Sequence, residues 1–273
     1  MIRRLIGLII ITIWLTGCAT NSTTTYYALD EKGQAIIEIN PLTAQVERTI
    51  SLTLPDLDNK GPEGLAFVSN QNVSQYGLFG LELATHGGYF LVSVQKKGRI
   101  FIFDVPLKGQ PPETTAPSLT LEIPGLERDA SELYYNIGQL WVVAAKDEKL
   151  YQVSTTNQPV KVLAIYDLSR LPFHDLEGLT LQQNTAYLAD DTAKMVSKYD
   201  NFPACLTTQS CTPSWQYDFS PSEPSGLAWD TPRQQLLMAD DRGHLFSLSP
   251  DGTTVTDLVT TAYNLEAVVI LSQ

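Results

Sequence analysis

Five short motifs along the chain carry a glutamate or a serine at the same place. Aligned without gaps, they give Glu63, Ser131, Glu177, Ser225 and Glu266. If the motifs converge, three carboxylates at about 5 Å and an effective dielectric of about 20 repel one another by about 3 kcal/mol per pair. Either protonation or a cation must then neutralise them.

Calcium is the cation that this set of oxygens favours, because Ca²⁺ accepts many carboxylate, hydroxyl and carbonyl ligands. Magnesium demands a tighter octahedron with fewer protein ligands, and zinc prefers His or Cys. The three histidines, His86, His174 and His244, have no ligand-like spacing to one another or to the cysteines. We therefore predict a calcium site.

Two alternatives stay open at this point. In the second motif Glu132, which stands where other motifs have glycine, competes with Ser131 for the ligand position. The motifs also fit simple tight turns, for which Gly64, Gly178 and Gly226 supply backbone freedom. That reading explains the glycines but not the oxygen-bearing residue before them.

The elements that must position these residues form a repeat. The first four motifs are each followed by a hairpin of two apolar strands around a polar turn, beginning at Tyr89, Leu140, Ala186 and Gln235, and a fifth hairpin begins at Tyr26. A further strand candidate follows each hairpin, as in 46–52, 119–123, 160–165, 215–219 and 253–259. No helical periodicity is present. Four-stranded units repeated every 40 to 50 residues or so are typical of a β-propeller.

The first hairpin lacks a preceding motif, and the last motif, around Glu266, lacks a following hairpin. We therefore predict an all-β, five-bladed β-propeller of four-stranded antiparallel blades, closed by the C-terminal strand pairing with the N-terminal blade. Residues 68–87 read as an inserted loop, although a sixth blade is the alternative. Residues 106–117 read as an exposed linker within one domain, 26–273.

The hairpin turns should surround the mouth of the channel into which the ring opens. Their acidic residues, with those just before the inner strands, are Asp30, Asp129, Asp147, Asp175, Asp190, Asp191, Glu223, Asp240 and Asp241. Basic residues among them, able to orient an anionic ligand, are Lys96, Lys97, Lys146, Lys194 and Arg242. For any single aspartate, a turn-forming role is the simpler explanation.

The N-terminus has the layout of a lipoprotein signal peptide, residues 1–17. Arg3 and Arg4 precede an apolar run of about half the ~20 residues that a membrane-spanning helix needs, and Cys18 follows a lipobox-like end. We expect a diacylated Cys18, a polar tether over 18–25 and a membrane partner through the lipid. Ala19 favours the outer membrane of a bacterial envelope.

Composition supports an envelope location. The chain has 18 basic and 30 acidic residues, and removal of 1–17 leaves a net charge of −14, which argues against nucleic acid as a partner. In an oxidising compartment Cys205 and Cys211 are expected to form a disulfide that pins a local hairpin.

The segments around Glu177, Ser225 and Trp141 resemble the blade motifs of the SdiA-regulated family of secreted bacterial propellers, over about 26–271. That resemblance implies a small propeller without a defined activity. The cyclic order of the ring is also similar to the calcium ring of the calcium-dependent apyrases, which hydrolyse nucleotides.

Two functions follow. The first is an envelope propeller, stabilised by calcium, whose acidic mouth binds an envelope protein or a small molecule. The second is a calcium-dependent hydrolase of phosphate esters or nucleotides, with Asp175, Asp190 or Asp240 as general base.

Overall fold

A computed structural model describes residues 24–55, 61–95, 98–126, 130–156, 158–220 and 222–272. The predicted signal peptide and Cys18 lie outside these residues. Among the residues described, no helix is long and apolar enough to cross a membrane.

The chain forms five four-stranded antiparallel sheets, which confirms the predicted five-bladed propeller. Blade 1 begins with β1 (Thr24–Asp30), β2 (Ala35–Asn40) and β3 (Gln45–Ser51). Blade 2 contains β4 (Pro62–Ser69), β5 (Gly88–Val94), β6 (Arg99–Asp104) and β7 (Leu119–Glu122). Blade 3 contains β8 (Glu132–Asn136), β9 (Gln139–Ala144), β10 (Lys149–Ser154) and β11 (Lys161–Asp167).

Blade 4 contains β12 (Leu176–Gln182), β13 (Thr185–Asp190), β14 (Met195–Tyr199) and β15 (Trp215–Asp218). Blade 5 contains β16 (Pro224–Asp230), β17 (Gln235–Asp240), β18 (His244–Leu248) and β19 (Val255–Thr260). The last strand, β20 (Leu265–Ser272), returns to blade 1 and pairs with β1, with Thr24 opposite Ser272. The predicted closure is therefore present.

The core is divided among the five seams between neighbouring blades. Successive side chains of a strand point to opposite faces of its sheet. In β1, Tyr26 and Ala28 pack against blade 5, whereas Tyr27 and Leu29 pack against blade 2. Each blade therefore buries both faces only because it has two neighbours.

Two short helices depart from the all-strand expectation. The insertion in blade 2 contains α1 (Asn70–Tyr76), whose first turn is capped by the Ser69 hydroxyl accepting from the Asn72 N–H at 3.2 Å. Leu78 and Phe79, which follow it, are buried at the seam with blade 3. The predicted Cys205–Cys211 disulfide is present, with Cα atoms 4.8 Å apart, but it closes over α2 (Ala204–Thr208) rather than over a hairpin.

The linker between β6 and β7 is less exposed than predicted. Thr115 is buried and exchanges backbone hydrogen bonds of 2.7 and 2.9 Å with Thr53 and Ser51. The linker thus covers part of the outer edge of blade 1.

Candidate functional site

The central channel has two chemically different ends. The inner strands β4, β8, β12, β16 and β20 all begin at one end, which we call the acidic end, and finish at the other, which we call the distal end. A cavity of about 180 Å³ opens at the acidic end, and its walls are largely oxygen-bearing. Its lining residues are Glu31, Glu63, Gln95, Glu177, Asp191, Ser225, Asp241 and Glu266.

Three of the predicted ring residues meet in this cavity. Carboxylate oxygens of Glu63, Glu177 and Glu266 lie within 4.8 Å of one another. Glu63 and Glu266 are each only 7% exposed. Among the described residues, these glutamates are the group of carboxylate, thiol and imidazole side chains whose spacing suits a metal ion.

β-bulges explain why these side chains point to the axis. In β12 the pairing with β13 moves from Leu176 directly to Gly178, which leaves Glu177 as the extra residue. Equivalent shifts in β4, β16 and the β20–β1 pair place Glu63, Ser225 and Glu266 in bulges. Because a bulge bends the strand and re-aims a side chain, each of these four residues turns out of its sheet.

The charge of the site is too dense to be maintained without neutralisation. Burial, followed by the nearby charges of Glu63 and Glu177, raises the pKa of Glu266 to about 10. In the absence of a cation, Glu266 therefore holds a proton at neutral pH. A bound divalent ion would reverse this preference, because it stabilises the carboxylate form.

Ser131 does not join the other ring residues. Its hydroxyl donates to the backbone oxygens of Leu176 at 3.0 Å and Val143 at 3.3 Å, and its N–H donates to Val143 as well. Strand β8 begins at Glu132, one residue after Ser131, and the hydrogen bond to the Leu176 carbonyl holds the Ser131 side chain against the neighbouring blade.

The competing candidate, Glu132, occupies the axis one residue further along its strand. Its Oε1 accepts from the N–H groups of Leu133 at 2.7 Å and Leu65 at 3.4 Å, and the Leu227 N–H across the channel also favours its charged form. The other blades have Gly or Ala at this position, which leaves room for one glutamate. Burial nevertheless raises the pKa of Glu132 well above its usual value.

Contrary to the prediction from their position at strand ends, Asp30, Asp190 and Asp240 do not line the acidic cavity, although Asp30 lines the neighbouring cavity that Lys32 and Arg242 border. All three are buried. Asp190 accepts from the N–H groups of His174 at 2.6 Å and Ala193 at 2.7 Å. Asp240 likewise accepts from its own turn, and Asp30 accepts from the Asn264 N–H at 3.1 Å. Asp190 and Asp240 are therefore turn-forming residues, whereas Asp30 binds the segment that leads into β20.

The residue after each of these aspartates reaches the cavity instead. Asp191 and Asp241 were expected there; Glu31 of blade 1 and Gln95 of blade 2, which line the same cavity at the equivalent position, were missed. The signal was available in the hairpin alignment, since all four follow the last residue of the second strand. The Oε1 atom of Gln95 is buried and has no hydrogen-bond partner among the described residues.

The rim combines raised and lowered carboxyl pKa values. Burial, with the charges of Glu223, Asp241 and Asp175, raises the pKa of Asp191 to about 6. Burial and Glu223 also raise the pKa of Asp241. Lys194 donates to Glu223 at 2.8 Å and lowers the pKa of that carboxyl.

Arg242 and Lys32 border a second cavity on the same face. It measures about 240 Å³, and Asp241 forms a wall of both cavities. Arg242 is half exposed and lies 3.5 Å from Glu223. The rim therefore offers two cations beside the acidic channel.

The remaining rim predictions fall outside the cavity or outside the described residues. Asp147 lies in a single 3-10 turn, Ala145–Asp147, and neither it nor Lys146 lines the acidic cavity. The charge of Asp175 helps to raise the pKa of Asp191, and the Asp175 carbonyl accepts a hydrogen bond from the Asp191 N–H. Asp129, Lys96 and Lys97 are not among the residues described.

Asn264 links the rim to the ring. Its side-chain N–H₂ donates to Glu266 Oε1 at 3.0 Å and to the Asp241 carbonyl at 2.8 Å. This buried amide fixes the orientation of the Glu266 carboxyl group.

At the distal end, apolar, aromatic and threonine residues line the cavity instead of carboxylates. A cavity of about 220 Å³ is lined by the last residues of the inner strands, among them Phe67, Tyr135, Leu181, Trp229 and Ile270. Glu132 lies between this cavity and the acidic one.

Comparisons with known proteins support the fold alone. No family model matches the chain, and no curated protein matches it. A protein of unknown function from Bacteroides caccae is 12% identical, with coverage of 92% of this chain and 99% of that chain, at a TM-score of 0.53.

Two further similar structures have TM-scores below 0.5. A protein from Lactobacillus plantarum is 11% identical, with coverage of 90% of this chain and 73% of that chain, at 0.44. A chain of a nidogen/laminin complex is also 11% identical, with coverage of 90% and 98%, at 0.49. At these identities the similarity extends to the fold, and the chemistry of the site has to be argued from its own residues.

Proposed function

We propose that this protein is a lipid-anchored propeller of the bacterial envelope that binds calcium at the acidic end of its channel and presents that end to a ligand or partner. The approach of Glu63, Glu177 and Glu266 to within 4.8 Å carries the proposal. Three carboxylates at this distance are a strong site for a hard divalent cation and a costly arrangement without one.

The donor set fits calcium in chemistry as well as in charge. Glu63, Glu177 and Glu266 supply carboxylate oxygens, and the Ser225 hydroxyl and the Gln95 amide oxygen line the same cavity. No partner for the buried amide oxygen of Gln95 occurs in the part of the chain that the structure describes. Neither a cysteine nor a histidine lines the cavity, which disfavours zinc.

Because of the residues at the rim, the ion would take part in ligand binding as well as hold the blades together. Arg242 and Lys32 stand beside a cavity that shares Asp241 with the acidic one. An anionic group on a small molecule or protein would contact these cations while a neighbouring oxygen reached the calcium ion. The resemblance to SdiA-regulated propellers and the −14 charge of the mature chain are consistent with an envelope role.

The hydrolase alternative uses the same ion but has less support. Calcium would supply Lewis-acid activation, yet two of the three expected general bases, Asp190 and Asp240, are buried and accept backbone hydrogen bonds. We therefore favour binding over catalysis. An assay with nucleotides and phosphate esters separates the two, since turnover that Glu177→Gln abolishes would establish the hydrolase.

Calorimetric titration of the ion-free protein with calcium tests the site directly. We expect one bound ion and a higher melting temperature, with both effects lost in Glu177→Gln. Glu113→Gln, which alters an exposed carboxylate in the β6–β7 linker, is the matched control and should behave like the wild type. An absence of calcium binding, or binding that Glu177→Gln leaves unchanged, would overturn the proposal.

A further inference from the structure

The topology places the start of β1 at the distal end. Thr24, the first described residue, pairs with Ser272, the last residue of β20. Because β20 begins at the acidic cavity with Glu266 and ends at the distal cavity with Ile270, Thr24 emerges on the distal face.

Most exposed large apolar side chains of the described residues also lie on that face. Leu42 is 86% exposed in the β2–β3 turn, Leu83 is 57% exposed in the blade 2 insertion, and Ile137 is 62% exposed in the β8–β9 turn. These segments connect strand ends at the distal side, since Asn40 pairs with Gln45 and Asn136 with Gln139. The other two, Leu163 and Ile165, lie on the outer strand β11.

The three residues belong to consecutive blades that contact one another. The insertion of blade 2 packs against blade 3, where Tyr76 lies against Gly138 beside Ile137. Arg48 of blade 1 donates to the Gly109 carbonyl of the blade 2 linker at 2.8 Å. Leu42, Leu83 and Ile137 therefore lie on the same face of the ring as Thr24, at the start of β1.

Several distal segments lack charge. Turns 41–44, 137–138 and 183–184 and the link 155–160 contain no acidic or basic residue, whereas other distal segments carry scattered charges of both signs, among them Glu82, Lys108, Glu113 and Arg233. The acidic end, in contrast, holds the three ring glutamates together with Glu31, Asp191 and Asp241. Contact with lipid desolvates charged groups at a cost, so the distal face meets a bilayer more favourably than the acidic face does.

We propose that the distal face rests on the surface of a lipid bilayer, with Leu42, Leu83 and Ile137 in contact with it, and that the acidic end points away from the membrane. This inference rests on the proposed acylation of Cys18. From Cys18 to Thr24 there are six residue steps, which span at most about 21 Å when fully extended. Such a tether holds the distal face close to the lipid, whereas the acidic end lies on the opposite side of the propeller.

Two matched positions in blade 1 make this orientation measurable. Leu42 lies in the β2–β3 turn on the distal face, and Lys32 lies in the β1–β2 turn on the acidic face; both are exposed. With Cys18 acylated and Cys205 and Cys211 joined, the cysteine of Leu42→Cys or Lys32→Cys is the one free thiol. Each variant is labelled with a fluorophore under non-reducing conditions.

The full-length lipoprotein is expressed, its acylation is measured by intact mass, and the labelled variants are reconstituted into phosphatidylethanolamine and phosphatidylglycerol vesicles containing a headgroup spin-labelled lipid. We expect strong quenching and a shift of emission to shorter wavelength at position 42, and neither effect at position 32. Circular dichroism checks that both variants keep the wild-type fold.

Quenching at position 32, or equal quenching at both positions in acylated protein, would overturn the orientation while leaving the anchor intact. Acylated protein whose position 42 responds to protein concentration rather than to vesicles would place a second copy on this face and overturn the membrane contact. An unmodified Cys18 would overturn the anchor and this inference together, without affecting the calcium site, which the titration tests separately.

Discussion

The hydroxyl of Tyr26 donates a 2.8 Å hydrogen bond to Asp230 and joins blade 1 to blade 5 across 204 positions of sequence. Asp230 is fully buried and also accepts from the Arg233 guanidinium at 3.1 Å. That guanidinium lies 5.7 Å from the centre of the Tyr26 ring. The three side chains form a polar network in the seam between blades 1 and 5, where the propeller closes.

Tyr26→Phe should lower the free energy of unfolding by about 1 to 3 kcal/mol, because it leaves a buried carboxylate short of a donor. Urea unfolding followed by circular dichroism measures the change. Tyr217→Phe serves as the control, since Tyr217 is partly exposed, and we expect a change within about 0.5 kcal/mol. Equal stability of Tyr26→Phe and the wild type would show that the Tyr26–Asp230 hydrogen bond contributes nothing to the free energy of unfolding.

Removal of residues 265–273 should abolish cooperative folding of the whole chain. β20 is the innermost strand of blade 1, and its side chains, including Ala267 and Val268, are buried in both adjacent seams. Thermal melting followed by circular dichroism tests this prediction. Deletion of Gln273 alone is the control, and a truncated protein that melted cooperatively at the wild-type temperature would contradict the importance of closure.

Glu132→Gln should change how stability depends on pH. Burial raises the pKa of Glu132 in the folded state, so the folded protein holds this proton more tightly than the unfolded chain. The stabilising contribution is complete below the unfolded pKa of about 4.3 and is lost as pH rises through the folded value. Relative to the wild type, Glu132→Gln should therefore gain stability between pH 4 and pH 8.

We expect that gain to be about 1 to 3 kcal/mol, the cost of a buried group that is imperfectly satisfied. Urea unfolding at a series of pH values, with calcium saturating throughout, measures the difference between the two proteins. A constant difference from pH 4 to pH 8 would show that burial does not raise the pKa of Glu132 above its value in the unfolded chain.

Asn264→Ala should weaken calcium binding by about 10- to 100-fold, as loss of a partner that orients a ligand typically does. The Asn264 amide holds Glu266 Oε1 at 3.0 Å, so its removal frees that carboxyl group to turn. Calorimetric titration measures the affinity. Asn184→Ala, in an exposed distal turn, should bind calcium like the wild type; an affinity unchanged by Asn264→Ala would exclude a positioning role.

The fold was predictable because its repeat is visible in short apolar segments. The complementary ends, Tyr26 without a motif and Glu266 without a hairpin, indicated the closure that β20 and β1 form. Helix α1 was missed because a seven-residue helix shows too little periodicity, although Ser69 followed by Asn70 is a typical helix start.

The site was only partly predictable because alignment of motifs fixes position along a strand but not the direction of a side chain. Glu63, Glu177 and Glu266 meet because each strand bulges there, whereas the Ser131 hydroxyl does not join them because it donates to backbone oxygens of Val143 and Leu176. At the rim, adjacent aspartates such as Asp190 and Asp191 have opposite roles. Residue type alone could not distinguish the turn former from the residue that lines the cavity.

Glu132 closes the inner end of the acidic cavity. Because its carboxylate accepts hydrogen bonds from blades 2 and 3 on the axis, an ion would enter and leave the acidic cavity on the side of Asp191 and Asp241. A ligand bound at that rim would block this exit and slow release of the ion. Binding of the ion and binding of the ligand would then be coupled kinetically as well as thermodynamically.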